Sequence, residues 1–269
     1  MKIIVSHDVD HLCRNDHYRD LVYPKLWIRS TLNLLKNKCT FDEWRLRMLS
    51  PFESQRHRIP ELCEFDKTND IPSTFFFGVN NGVGLSYSLD NAKQWVKYVK
   101  SKGFEVGVHG IAFDNYYQMK EEHEVFQAIC GDLDFGIRMH YVRTTANTLQ
   151  YLDNCGYKYD SSVFTGNSIK PKECYKVGKM IEFPVSVMDS YLVGNYEEMG
   201  MSTQKILLAA EKSSVRYFVI LFHDIYFSDA YVNKKKWYIN TIQNLKSRGY
   251  EFVSFNDAVD EVRGMNFNV

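Results

Sequence analysis

Ile3-Ile4-Val5-Ser6-His7-Asp8-Val9-Asp10-His11 is the stretch of this 269-residue chain that decides its fold class. It begins as an apolar run, typical of a strand buried on both faces, and it ends in two carboxylates and two imidazoles. Because unpaired charged groups are costly inside a sheet, we expect them at the C-terminal end of the strand, where α/β sheets and barrels bind ligands. On an extended chain Asp8 and Asp10 point the same way, so one can hold a metal ion while the other takes a proton. A strand end with solvated acids is the alternative.

The composition excludes several classes of protein. Lys plus Arg and Asp plus Glu both number 33, so the net charge is zero and nothing indicates nucleic-acid binding. No apolar run is long enough for a membrane span, and no signal peptide precedes the first strand. None of the six cysteines forms a Cys-x-x-Cys pair, which is typical of free thiols in a reducing compartment. We therefore expect a globular, cytoplasmic protein.

Strand-like and helix-like segments alternate after residue 70. The alternation runs to a last predicted strand at 250–255, and it predicts a parallel sheet. Seven or eight strands in this length predict a closed or nearly closed (β/α) barrel, with a doubly wound open sheet as the alternative. Residues 12–70 interrupt the pattern and are predicted to form a helical insertion, in which Thr40-Phe41-Asp42-Glu43 has the form of a capping box. No linker marks a second domain, so 1–269 is predicted to be a single domain.

Polar residues recur at the carboxyl ends of the predicted strands. Besides the acids of the first strand, they are His109, Arg138, His140, Arg143, Asp160, Asp189, His223 and Asp224. In a parallel barrel these strand ends converge on one face. Carboxylate and imidazole suit zinc and similar ions, which makes Asp10 and His109 plausible metal ligands. His223 ends the most apolar strand and favours a general acid–base role, with Asp189 as the group that orients its ring.

Six segments, in this order, resemble the polysaccharide deacetylases (carbohydrate esterase family 4). They are Ser6-His7-Asp8-Val9-Asp10, Ser73-Thr74-Phe75-Phe76, Gly103-Phe104-Glu105-Val106-Gly107-Val108-His109, Arg138-Met139-His140-Tyr141, Gly156-Tyr157-Lys158-Tyr159-Asp160-Ser161-Ser162 and Leu221-Phe222-His223-Asp224. The resemblance implies a distorted seven-stranded (β/α) barrel and a divalent metal, usually zinc, cobalt or nickel. It also implies removal of an N- or O-acetyl group from a carbohydrate or another acetylated small molecule.

Roles carried over from this family fall on five residues. The resemblance implies that Asp8 is the general base and that Arg138 orients it. Asp10 and His109 would hold the metal, and His223 would be the general acid.

The sequence departs from the family at two positions. The family's second metal histidine lies four residues after the first, where this chain has Phe113, and Asp114 is the predicted substitute. His140 stands where the family has proline. The predicted substrate-binding residues are His140, Tyr141, Arg143, Asp160 and Asp189. These departures keep two alternatives open: a metal-free hydrolase of a C–N bond in a small cyclic amide, and a catalytically silent sugar-binding barrel.

Overall fold

The computed structural model describes residues 1–17, 21–166 and 170–264, and the strands in these ranges form one nine-stranded sheet. The strands are β1 (Lys2–Val9), β2 (Thr74–Phe77), β3 (Glu105–Gly110), β4 (Ile137–Met139), β5 (Tyr159–Asp160), β6 (Tyr175–Val177), β7 (Met180–Glu182), β8 (Val185–Met188) and β9 (Tyr217–Leu221). Their order across the sheet is β6-β7-β5-β4-β3-β2-β1-β9-β8. All neighbours pair in parallel except β6 and β7, which pair antiparallel.

Helices follow most strands and pack on the sheet. The α-helices of the described ranges are α1 (Val22–Leu35), α2 (Phe41–Leu49), α3 (Ile59–Thr68), α4 (Leu89–Ser101), α5 (Tyr116–Cys130), α6 (Thr148–Cys155), α7 (Tyr196–Lys212), α8 (Val232–Ser247) and α9 (Phe255–Gly264). Short 3-10 helices span Arg14–His17, Ser50–Phe52, His140–Val142, Asp189–Tyr191, Asp224–Tyr226 and Asp229–Tyr231. None of the helices in these ranges is long and apolar enough to cross a membrane, and all six cysteines are free.

The predicted α/β class is confirmed, but the sheet differs from a seven-stranded barrel. It is a curled, mixed sheet of nine described strands, because the hairpin of β6 and β7 adds to the outer edge of β5. The predicted last strand is reduced to a single bridge between Phe252 and Ile3. Its continuation is helical instead, since Ser254 Oγ accepts a hydrogen bond from the backbone of Asp257 at the start of α9.

The predicted helical insertion contains α1, α2 and α3. The capping box opens α2 as expected: the Glu43 amide donates to Thr40 Oγ1 (3.2 Å), and the Thr40 amide donates to Glu43 Oε2 (2.9 Å). Arg47 Nε donates to the carbonyl of Ala230 (2.7 Å), and the amide of Val232 donates to Glu43 Oε1 (3.1 Å). These contacts hold α2 against the segment that precedes α8, so the insertion forms a wall beside the loops that follow β9.

β1 is the central strand of the site, between β2 and β9, and its residues from position 3 to position 9 are buried. Successive side chains alternate between the two faces, so His7 points away from its neighbour Asp8. His7 Nε2 lies 2.8 Å from Asp66 Oδ2, and His7 Nδ1 lies 3.0 Å from the carbonyl of Phe222. Both ring nitrogens of His7 therefore have a buried hydrogen-bond partner, which fixes the orientation of the ring.

Replacement of Asp66 by Asn is expected to lower the free energy of unfolding by about 3 kcal/mol, because the buried hydrogen bond to His7 then lacks its charged acceptor. Asp66 also accepts from Ser73 Oγ (2.6 Å) and from the hydroxyl of Tyr238 (2.7 Å). Urea denaturation measures the change. Glu124→Gln, which removes an exposed ion pair on α5, is the matched control and should have little effect. A loss for Asp66→Asn no larger than that of the control would show that the buried pair does not stabilise the fold.

Candidate active site

Three potential metal ligands meet beyond the carboxyl ends of β1, β3 and β4. Asp10 Oδ1 lies 3.2 Å from His109 Nε2 and 3.3 Å from His140 Nδ1, and these two nitrogens are 3.0 Å apart. An ion with tetrahedral bonds of about 2.0 Å keeps its ligand atoms about 3.3 Å apart. The triangle of Asp10, His109 and His140 therefore has the dimensions of one face of a tetrahedral coordination sphere.

The outer nitrogens of both histidines are bonded to backbone carbonyls. His109 Nδ1 lies 3.0 Å from the carbonyl of Arg138, and His140 Nε2 lies 3.0 Å from the carbonyl of Val83. Because a carbonyl only accepts, these nitrogens carry the protons, and the lone pairs of His109 Nε2 and His140 Nδ1 face each other. Asp10 Oδ1, buried beside them, has no hydrogen-bond donor in the described part of the chain. Two lone pairs and a carboxylate at this spacing repel one another unless a cation lies between them, so the donor set fits a divalent metal.

The electrostatics of the triangle favour positive charge. Burial alone would lower the pKa of His109, but the charges of Asp8 and Asp10 raise it above its usual value. The same two carboxylates would stabilise a bound cation.

Asp114, the predicted third ligand, lies outside this triangle, and the third corner is His140. Asp114 is exposed in the loop between β3 and α5, and the group of three contains only Asp10, His109 and His140 among the described residues. β3 and β4 pair with His109 opposite Arg138, so His140 follows closely on the neighbouring strand. The second imidazole thus comes from a different strand rather than from a position four residues along the same segment.

Asp8 lies beside the triangle and is held by a buried guanidinium. Asp8 Oδ2 is 3.8 Å from His109 Nε2, and Asp8 Oδ1 is 3.5 Å from Arg138 Nη1. Arg138 is fully buried, and its Nη2 donates to Ser6 Oγ (3.0 Å) and to Ser161 Oγ (2.9 Å). These contacts fix the guanidinium next to the carboxylate, as an orienting role for Arg138 requires.

Asp160, predicted to bind substrate, lies behind Arg138 instead. It is fully buried, and its Oδ1 accepts from Ser162 Oγ at 2.5 Å. Burial raises the pKa of Asp160, and burial together with the charge of Asp160 raises the pKa of Glu182 well above its usual value. The two carboxyl groups thus form a buried pair, of which Glu182 is the member that keeps a proton. Both residues are fully buried, and their charges act on Arg138, so the pair is near that guanidinium and does not face open space.

His223 and Asp189 form the predicted pair. His223 Nδ1 is 2.9 Å from Asp189 Oδ1, and the His223 amide donates to Asp189 Oδ2 (2.6 Å). His223 Nε2 is left facing the site, 3.9 Å from Asp10 Oδ2. Burial alone would lower the pKa of His223, but the charge of Asp189 and then that of Asp10 raise it well above its usual value. The raised pKa favours the protonated ring, and 17% of the side chain is exposed, so Nε2 is accessible to a ligand.

Tyr141 and Arg143 are both exposed on the loop that follows β4. The Tyr141 ring packs on His140 at a centroid distance of 4.0 Å, and the Arg143 guanidinium lies 4.9 Å from the centre of the Tyr141 ring. Tyr141 and Val142 both adopt positive φ angles, 59° and 48°, which side-chain-bearing residues rarely do. The backbone turns sharply here, directly after His140.

Glu122 on α5 is a site residue that the motifs did not reveal. Its carboxylate accepts from the amides of Ile111 (3.2 Å) and Ala112 (3.1 Å) and from Asn80 Nδ2 (3.0 Å). It thereby fixes the loop that follows His109, and burial raises its pKa to about 7. The helical spacing does carry a signal, since Glu122 is three residues after Met119 and shares its buried face.

This chain is similar to known proteins in structure but not in sequence. No protein-family model and no curated protein sequence matches the chain. The structure of a Mycobacterium smegmatis protein assigned to the polysaccharide deacetylases superposes with a TM-score of 0.64 at 16% identity, over 97% of this chain and 89% of the other. This chain has the polysaccharide deacetylase fold. Puue allantoinase shares the fold, with a TM-score of 0.65 at 14% identity over 98% of this chain and 90% of its own.

A CE4 family pseudoenzyme from Bacillus anthracis is also similar, with a TM-score of 0.51 at 10% identity over 97% of this chain and 66% of its own. The polysaccharide deacetylase fold thus accommodates hydrolases and a pseudoenzyme. The side chains of the site, rather than the fold, therefore determine whether a protein of this fold is active.

Proposed function

We propose that this protein is a metal-dependent hydrolase that removes an acetyl group from a sugar or a sugar-linked substrate. The observation that carries the proposal is the triangle of Asp10, His109 and His140, which lies within 4 Å of Asp8 and of His223. Hydrolysis of an amide or ester needs an activated water, stabilisation of the charge that develops on the carbonyl oxygen, and a proton for the leaving group. These five side chains can meet all three needs.

Asp10, His109 and His140 would hold the metal, and one carboxylate with two imidazoles suits zinc best. When bound, a divalent ion lowers the pKa of a water molecule to about 7 and polarises the carbonyl of the substrate. The hydrogen bonds from His109 and His140 to backbone carbonyls keep both rings in the tautomer that such binding needs.

Asp8 and His223 would perform the two proton transfers. Asp8 takes a proton from the attacking water, and Arg138 keeps its carboxylate oriented. His223 gives the proton on Nε2 to the leaving amine or alkoxide, while Asp189 holds the ring and stabilises its charge. Tyr141 lies at the open side of the site, where its ring and the charge of Arg143 could contact a sugar.

A hydrolase of the C–N bond in a small cyclic amide is the second candidate. The likeness to Puue allantoinase favours it, because that TM-score equals those of the deacetylases to within 0.01. Acetate release from N-acetylglucosamine oligomers, measured beside ring opening of hydantoin, separates the two candidates. A protein that binds zinc and a sugar but catalyses neither reaction would instead be a silent sugar-binding domain.

His140→Ala is expected to weaken zinc binding by about 100-fold or more, because loss of even an outer-shell partner typically costs about 10–100-fold. Competition with a fluorescent chelator measures the affinity. Asp114→Asn is the matched control and should leave it unchanged, since Asp114 is exposed and outside the triangle. Unchanged affinity in His140→Ala, or a loss confined to Asp114→Asn, would reject this triangle as the metal site.

A further inference from the structure

A cavity of about 650 Å³ lies beside the candidate active site. Helices α1 and α2 of the insertion line one side of it, and the segment that follows Asp189 lines another, together with the start of α8. Its volume is within the range of about 300–1,000 Å³ found for small-molecule sites. Tyr226, which lines the cavity, has its ring centroid 5.7 Å from that of His223. The ring of Tyr226 therefore separates the cavity from His223, the proton donor of the proposed reaction.

The lining of the cavity is positively charged. Its cationic side chains are Arg29, Lys38, Arg47 and Lys234. The lining also contains the carboxylates of Glu43 and Glu198, but both are bonded to backbone amides at the starts of helices, in the capping boxes of α2 and α7. Because the whole chain has a net charge of zero, the excess of positive charge is a local feature of this cavity.

Three of these cations have no carboxylate partner among the described residues. Arg29, Lys38 and Lys234 form no salt bridge within residues 1–17, 21–166 and 170–264. Lys234 Nζ lies 3.4 Å from the centre of the Tyr226 ring instead, and an aromatic face attracts a cation without neutralising it. Burial lowers the pKa of Lys234, the charge of Asp189 opposes this, and the charges of Arg29 and Arg47 lower the pKa by a smaller amount. A cavity lined by several cations without direct carboxylate partners favours an anionic ligand.

We propose that this cavity binds an anionic group of the substrate, a phosphate or a carboxylate, while the acetyl group lies at Asp8 and His223. Arginine and lysine make charged hydrogen bonds to both kinds of anion. The inference rests on the proposed function for the link between the two sites, and it goes further because it defines the substrate class as an acetylated sugar that carries an anion. It also gives the insertion a role, since α1 and α2 supply Arg29 and Arg47 to the cavity.

Isothermal titration calorimetry of the zinc-loaded protein tests the proposal with three probes: N-acetylglucosamine, N-acetylglucosamine 1-phosphate and N-acetylmuramic acid. At low salt we expect an anionic probe to bind at least about tenfold more tightly than the neutral sugar, which is the typical contribution of one charged hydrogen bond. A preference for the phosphate probe assigns a phosphate, and a preference for the carboxylate probe assigns a carboxylate. Equal affinities for all three, or no binding of either anionic probe, would overturn the proposal.

Substitutions in the cavity show which side chains cause the preference for an anionic probe over the neutral sugar. Lys234→Gln and Arg29→Gln, on two different helices, should each reduce affinity for the preferred anionic probe about tenfold and leave affinity for the neutral sugar unchanged. Lys234→Arg should retain the preference. Lys236→Gln is the matched control, because Lys236 is exposed on the same helix and outside the cavity. Arg29 is exposed, so its variant should fold and gives a result even if Lys234→Gln does not fold.

The outcomes separate this inference from the proposed function. A preference that survives both Lys234→Gln and Arg29→Gln would mean that the anion binds elsewhere, at the metal for example, and would overturn the cavity assignment. A preference that depends on these residues in a protein that releases no acetate supports the cavity and rejects the deacetylase. Acetate release from neutral sugars without any preference for anions rejects the cavity alone.

Discussion

Asp8→Asn should lower the turnover number for acetyl-sugar hydrolysis by about 10³-fold or more, within the usual contribution of a general base of about 10²–10⁴-fold. The amide of asparagine keeps the size of the side chain and its contact with Arg138, but it cannot take a proton from water. Zinc content should stay close to that of the unmodified protein, because Asp8 lies 3.8 Å from His109 Nε2 and outside the triangle. Steady-state kinetics gives the turnover number, and elemental analysis of the same samples gives the zinc content.

Asp10→Asn is the matched comparison, two residues along the same strand end. It should lose both the zinc and the activity, because Asp10 Oδ1 is a corner of the triangle. The two variants therefore differ in metal content while both are inactive. Loss of zinc in Asp8→Asn with retention in Asp10→Asn would show that the roles of the two carboxylates are reversed.

Most residues of the candidate site could be predicted from the sequence, because ligands bind at the carboxyl ends of parallel strands. Asp10, His109 and His223 are at such ends, and Asp10 lies within 4 Å of both histidines. His140 was visible in the same way, but its place in the triangle depends on the register between β3 and β4. Register is a tertiary property that one strand alone does not encode. The sequence therefore predicted Asp114, along the same segment, as the third ligand, whereas the third corner of the triangle is His140.

Local sequence patterns predicted the start of a helix better than they predicted which strands complete the sheet. The capping box that opens α2 needs only residues 40–43, and both of its hydrogen bonds form. The hairpin of β6 and β7 and the bridge at Phe252 depend instead on which edges of the sheet remain open, and this is decided by distant segments. The partner of His7 illustrates the same limit, because Asp66 is 59 positions away in the sequence.

His223→Ala is expected to lower turnover on an N-acetylated sugar by about 10²–10⁴-fold, the usual contribution of a general acid. Zinc content should change little, since His223 is outside the triangle. Stability should fall modestly, because the buried carboxylate of Asp189 then lacks its imidazole partner. Asp189→Asn should act in the same direction with a smaller effect. This substitution weakens the 2.9 Å contact between Asp189 Oδ1 and His223 Nδ1, which orients the ring, and it removes the charge that raises the pKa of His223. The imidazole itself stays in place.

The leaving group decides whether His223 donates a proton. An amide expels a strongly basic amine and needs protonation, whereas an activated ester such as 4-nitrophenyl acetate expels an anion that is already stable. If His223 is the general acid, His223→Ala should reduce hydrolysis of the amide far more than hydrolysis of the ester, because only the amide depends on the lost proton. Asp8→Asn provides the contrast, since water must be deprotonated for both substrates and both rates should fall together. Equal losses on amide and ester in His223→Ala would mean that the ring positions the substrate rather than protonating its leaving group.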